Sequence, residues 1–143
     1  MRTFRLGLAL LVLVSAVSGC GHSSSPTEPG GGMDSIALES ISPPVTTPLT
    51  TGSEVTFTGR VRYNLASASS GSIFIVIEDQ SAINISSTVP QPSLSISRGS
   101  GTVEISDHIR IPAGVTKVNV FFPVVPSGAT RSTAVTSVAY TVN

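Results

Sequence analysis

Residues 55–65 alternate with a period of two. Val55, Phe57, Val61, Tyr63 and Leu65 fall on one side, and Glu54, Thr56, Thr58, Arg60, Arg62 and Asn64 on the other, with Gly59 at one inward position. Successive side chains of an extended strand point to opposite faces, so this run predicts a strand with one face in a core and one in water. A slip of one residue would bury Arg60 and Arg62, so the pattern also sets the register. Gly59 marks a bulge or a close approach by another part of the chain.

The same period recurs more weakly elsewhere. Strands are expected at residues 35–41, 72–78, 82–88, 93–97, 102–111, 116–124 and 133–142. Turn-rich joints separate them: Ser42-Pro43-Pro44, Thr51-Gly52, Ser69-Ser70-Gly71, Pro90-Gln91-Pro92, Arg98-Gly99-Ser100-Gly101, Pro112-Ala113-Gly114 and Pro126-Ser127-Gly128. Seven or eight short strands at this spacing predict an all-β antiparallel sandwich or barrel, with almost no helix. Pro123 lies inside an apolar run and lacks an N–H for a ladder. Either the strand ends at Phe122 or a bulge sits there, and the bulge is the preferred reading.

The amino-terminal segment reads differently. Arg2 and Arg5 precede an apolar stretch at residues 6–17, followed by Ser18, Gly19 and Cys20. This is the layout of a cleaved signal helix, too short to span a bilayer that needs about 20 residues. Val17-Ser18-Gly19-Cys20 resembles the lipobox of bacterial lipoproteins: an aliphatic residue, two small ones, then cysteine. The resemblance implies removal of residues 1–19, a diacylglyceryl group on the Cys20 sulfur, and acylation (palmitate-type chains) of the new amino terminus. One acyl chain gives only marginal attachment, whereas two or three anchor stably, each buried methylene contributing about 0.8 kcal/mol. The expected location is therefore outside the cytoplasm, lipid-anchored to the cell membrane or to an outer membrane. In enterobacterial lipoproteins aspartate after the cysteine favours inner-membrane retention, so Gly21 favours the outer membrane in a Gram-negative source.

Cys20 is the only cysteine in the chain, so lipidation leaves the mature protein no disulfide. Removing residues 1–19 leaves six Lys/Arg against eight Asp/Glu, a formal charge of −2, which argues against a nucleic-acid partner. Residues 20–33 hold the lipidated cysteine and a small, polar, breaker-rich linker. The stretch from His22 to Met33 reads as a flexible tether that reaches about 40 Å fully extended and about 20 Å as a coil. Residues 34–143 are enough for one domain that folds on burial alone.

The order and lengths of the expected strands resemble bacterial Ig-like domains, including fibronectin type III-like members, over residues 34–143. The chain has no tryptophan and no cysteine pair to bridge two sheets, so the resemblance does not extend to antibody domains. It implies a shape rather than a role.

Candidate chemistry is sparse. His108 stands next to Asp107, but neighbours on a strand point apart, so Asp107 does not orient it, and no G-x-S-x-G elbow is present. No catalytic residue and no cofactor is expected. Zinc wants several Cys or His ligands, and His22 in the tether reads as inert. Glu78 and Asp79 end one strand, and Asp107 approaches them across a sheet end, which makes these three a weak candidate ligand cluster. Phe57, Tyr63, Phe122 and Tyr140 read as core. Phe74 and Phe121 are out of phase with Ile75 and Phe122, and fill a second sheet face or turn outward.

The expected function is a non-catalytic binding or adhesion module at the cell envelope, acting on envelope proteins or surface glycans. The alternative is a structural accessory subunit that docks through a sheet edge or apolar face. A loop-end cluster at Glu78, Asp79 and Asp107 favours the first. An outward apolar patch at Phe74, Val76 and Phe121 favours the second.

Overall fold

The computed structural model describes residues 32–143. The expected signal peptide, Cys20 and most of the expected linker lie outside the described residues. Within them the chain is all β, with six strands and no helix: β1 (Ser35–Ser42), β2 (Glu54–Phe74), β3 (Val76–Glu78), β4 (Ser93–Arg110), β5 (Lys117–Pro126) and β6 (Ala134–Thr141). All named pairs are antiparallel and join one hydrogen-bonded sheet. The first part of β2 lies between β1 and β4, and its last part between β4 and β5.

The strand count is lower than expected because two turn-like joints carry strand and the expected strand at 82–88 does not form, while the run at 72–78 is divided at Ile75. Ser69-Ser70-Gly71 falls inside β2, and Arg98-Gly99-Ser100-Gly101 inside β4. The two joints lie beside each other. Leu65 pairs with Gly99 and Ser70 with Ser97, so β2 advances five positions while β4 advances two. Arg98 fastens the excess, its guanidinium donating to the Ala66 carbonyl at 2.7 and 3.3 Å. Gly71 serves close approach rather than a turn, since a Cβ there would lie 2.8 Å from the Val125 carbonyl oxygen. The expected strand at 82–88 is absent. The only bridge of that segment to the sheet is the isolated Glu78–Asn84 one.

Pro123 neither ends β5 nor bulges it. Phe122, Pro123 and Val124 stay in register with Thr136, Val135 and Ala134 of β6. The break lies on the other side. β5 pairs with β2 up to Ile73–Val124 and with β3 from Val76–Phe121, leaving Phe74 and Ile75 unpaired with it. Ile75 turns its amide to the Pro92 carbonyl instead, at 3.3 Å. A missing N–H at position 123 thus costs no ladder bond.

Phe57, Val61, Leu65, Ile73, Ile75, Ile77, Ile109, Val118, Val120, Phe122 and Val124 are all fully buried, with Tyr140 nearly so. The inward side chains of β2 meet those of strands to which β2's first part is not hydrogen-bonded. The Phe57 and Tyr140 rings lie 5.1 Å apart at 56°, a favourable tilted contact. A Cβ at Gly59 would sit 2.3 Å from the tip of the Phe122 ring. Glycine is needed there because an aromatic ring from β5 occupies the space, and the bulge in this region lies on β1, between Leu38 and Ser40. Tyr140 also donates its hydroxyl to the Pro43 carbonyl at 2.7 Å, and burial pushes its pKa up to about 12. Tyr63, expected in the core, is only half-buried. With Arg62, Asn64 and Ser100 it lines a shallow pocket of about 500 Å³ near the start of β1.

Candidate functional site

The segment between Glu78 and Ser93 joins β3 to β4 and is rich in Ser, Thr, Asn and Pro. Ile85 is the one large apolar side chain of this segment packed against the core, so most of its shape must come from hydrogen bonds. Two aspartates supply them.

Asp79 follows Ile77 in phase and is buried. Its Oδ1 accepts from the amides of Ser81 (2.8 Å) and Ile83 (2.9 Å), closing a tight turn in which Ala82 takes φ +60°. The next residue, Gln80, spans to the β4–β5 connection. It donates to the Gly114 carbonyl and accepts from the Thr116 amide, both at 3.2 Å.

Asp107 is on β4, opposite Phe57, on the core-facing side, and is 3% exposed. Its Oδ1 accepts from the Thr88 hydroxyl and the His108 amide, both at 2.8 Å, and its Oδ2 from the Ser86 hydroxyl. Asn84 in turn accepts from the Ser86 amide at 2.8 Å. An unpaired buried carboxylate is very costly, but one with several donors is well held, and bonds to a charged acceptor are the stronger kind. Among the described residues no buried side-chain nitrogen or oxygen lacks a partner. The loop is therefore braced from both ends while its apolar tips face water: Ile83 is 60% and Val89 92% exposed.

The three carboxylates of the candidate cluster thus take separate places. Asp79 and Asp107 hold one loop. Glu78 has the opposite phase to Ile77 and Asp79, and lies across from Asn119 of β5. No group of three or more His, Cys, Asp or Glu among the described residues is placed to hold a metal ion. His108 is exposed on the outer side of β4, facing away from the buried Asp107. Phe74, Val76 and Phe121 share one outer sheet face, with Val76 directly across from Phe121. Cys20 and His22 lie outside the described residues.

No protein-family profile and no curated protein sequence matches this chain.

A third aspartate, which the sequence did not single out, fixes the start of the described chain against β2. Asp34 Oδ1 accepts from the amides of Ala66 (2.7 Å) and Ser67 (2.9 Å), and Oδ2 from the hydroxyls of Ser67 and Thr133. Partial burial raises the Asp34 carboxyl, but the hydrogen bonds from Ser67, Thr133 and Ala66 outweigh it and hold the pKa down at about 2. Along β2, Ala66 lies nine positions beyond Phe57, the partner of Asp107, or roughly 30 Å at 3.3 Å per residue. The braced loop and the Asp34 contacts occupy opposite ends of the sheet.

The folded Asp34 pKa is below the ordinary 3.8, so ionised Asp34 stabilises the fold above that value and this contribution is lost as pH falls toward 2. Asp34→Asn should lose less stability than the wild type across that window, measured as the difference between their denaturation midpoints from pH 5 to 2. Parallel curves would show that the latch carries no pH-dependent stability.

Proposed function

We propose that this is a lipid-anchored envelope lipoprotein whose single Ig-like β-sandwich domain is a non-catalytic binding module, with the Asp79–Pro92 loop as its contact surface. The observation that carries it is Asp107: a buried carboxylate satisfied by hydroxyls of that loop, which leaves Val89 exposed at the end of the sheet away from the tether junction. A loop already held in one shape loses little freedom on binding, and rigid scaffolds commonly present function on such loops.

Support for a sandwich comes from Phe57 against Tyr140 and Gly59 against Phe122, contacts across a shared core between the first part of β2 and strands to which that part is not hydrogen-bonded. Support for the anchor remains the Val17-Ser18-Gly19-Cys20 motif. With lipid on Cys20, a tether spanning about 20 Å and a domain about 30 Å long place Val89 roughly 50 Å from the headgroups. The ligand is then another envelope protein or a surface glycan. The membrane is the cell membrane or, in a Gram-negative envelope, the outer one.

One experiment tests both halves. A photoreactive side chain replaces Val89 in the full chain, and Thr56 in a control, and each is irradiated in the native envelope with and without Cys20→Ser. Adducts are expected from position 89 and not 56. The Cys20→Ser chain should keep its precursor length and take up no lipid label. Equal labelling from both positions removes the loop reading, and a Cys20→Ser chain that partitions with membranes and matures as the wild type does removes the anchor.

A further inference from the structure

We propose that the trough beside the start of β1 binds the phosphate of a phospholipid headgroup. Its volume is about 500 Å³, within the range of small-molecule sites. The register explains why a hollow lies there. Ser35, Asn64 and Ser100 stand across from one another in one row of the outer face of β1, β2 and β4, and Ala37 stands across from Arg62 in the next outward row. Short side chains on β1 beside a long arginine on β2 leave space over the sheet.

The polar groups around this space are donors. Arg62 is mostly exposed, and its Nε is 3.9 Å from Glu39, whose other oxygen is given to Arg60 at 3.1 Å. The outer nitrogens of Arg62 are left as the fork that fits a phosphate. The Asn64 carbonyl accepts from the Ser100 hydroxyl at 3.0 Å, which fixes its amide, and one of its two N–H groups reaches the Met33 carbonyl at 3.4 Å. The second N–H and the Ser35 hydroxyl add to the donor set. No Asp or Glu lines the trough. Donors without an acid among them select an oxyanion.

Position selects the source of that oxyanion. Met33 bonds Asn64, so the chain that leads back to Cys20 leaves from the rim of the trough. With lipid on Cys20 and a tether spanning about 20 Å as a coil, neighbouring headgroups are within reach. Charge agrees. The same end of the domain carries Arg98, on the Ala66 carbonyl, and Arg131, two residues before the Asp34 partner Thr133, against Asp34 alone among the described residues. Glu54, Glu78, Asp79 and Asp107 lie toward the other end. A net positive end suits an anionic bilayer surface, where each arginine contributes roughly fivefold in binding. A shallow site with one cation holds a soluble ligand weakly, but a short flexible linker supplies a roughly millimolar effective concentration. The choice of a lipid source rests on the anchor reading, whereas the donor set does not.

The test is nuclear magnetic resonance of the full chain, isotopically labelled at arginine and serine, in lipid discs. Phosphatidylcholine carries its own cation beside the phosphate and gives the baseline. Phosphatidylglycerol discs should shift the Arg62 Nε–H signal and the Ser35 and Ser100 amides, and leave in place Arg110, which lies across from Glu54 at the far end of the ladder. Arg62→Gln should cut the serine shifts at least about fivefold. Ala37→Phe keeps every charge, fills the space from an exposed position and should abolish them. An Arg110 signal at its wild-type position certifies that each variant folds. If Arg110 moves as much as Arg62, or Ala37→Phe responds as the wild type does, the effect is general surface charge and the proposal falls. Glycerol 1-phosphate added to phosphatidylcholine discs separates the sources. Signals that follow it but ignore phosphatidylglycerol give the trough a soluble phosphate ester and overturn the lipid assignment, and silence with both overturns the oxyanion site itself. The intact mass of the same samples reports lipid on Cys20, so a chain without lipid that still responds loses the anchor and keeps the trough.

Discussion

Phe57→Ala should destabilise the domain by about 3–5 kcal/mol, the range for deleting a buried aromatic side chain. Phe57 is fully buried and touches the Tyr140 ring, so its removal opens a void between strands that no hydrogen bond joins. The surrounding strands are tied into one ladder and have little freedom to collapse inward. Domains of this size have roughly 5–15 kcal/mol in total, and each kcal/mol moves Tm by about 4–8 °C, so a fall of more than about 10 °C is expected. Thr56→Ala, on the exposed side of the same strand, should change stability by about 0.5 kcal/mol or less. Thermal unfolding of both variants decides it. If they melt alike, β2 is not half-buried and the core assignment fails.

That contrast is legible in the sequence alone, because eleven consecutive residues at positions 55–65 agree on one register. What the alternation cannot show is pairing. Ser69-Ser70-Gly71 and Arg98-Gly99-Ser100-Gly101 have the composition of turns, yet each is kept extended by the other, and a ladder between distant segments leaves no trace in either alone. Pro123 has the same lesson: whether a missing N–H matters depends on whether the neighbour offers an acceptor there, and β2 breaks from β5 at that point.

The site was half legible. Asp107 is in phase with Val103, Ile105, Ile109 and Ile111, and Asp79 with Ile73, Ile75 and Ile77, so the period that assigned the core also turned both carboxylates inward. The period likewise turns Glu78 away from Asp79, which separates the three-carboxylate cluster. Asp34 carried no such signal, since its partners Ala66, Ser67 and Thr133 come from distant parts of the chain.

Asp107→Ala should cost about 3 kcal/mol, the worth of one or two hydrogen bonds to a charged group. The loss should concentrate in the loop. The Ser86 and Thr88 hydroxyls and the His108 amide give up their shared acceptor, whereas the turn closed by Asp79 keeps its own bonds to Ser81 and Ile83. Hydrogen exchange should therefore quicken at the Ser86 and Thr88 amides well before the β2–β4 ladder opens, because local opening needs less free energy than global unfolding. Asp107→Asn keeps the shape and one acceptor oxygen, so its cost should fall to about 1 kcal/mol, the worth of a neutral bond. Glu78→Ala, which touches none of these bonds, should leave exchange in the loop unchanged. If Asp107→Ala leaves those amides as protected as the wild type, the carboxylate does not brace the loop. Val89 would then have no rigid mount, and the contact surface assigned to it would have to lie elsewhere on the domain.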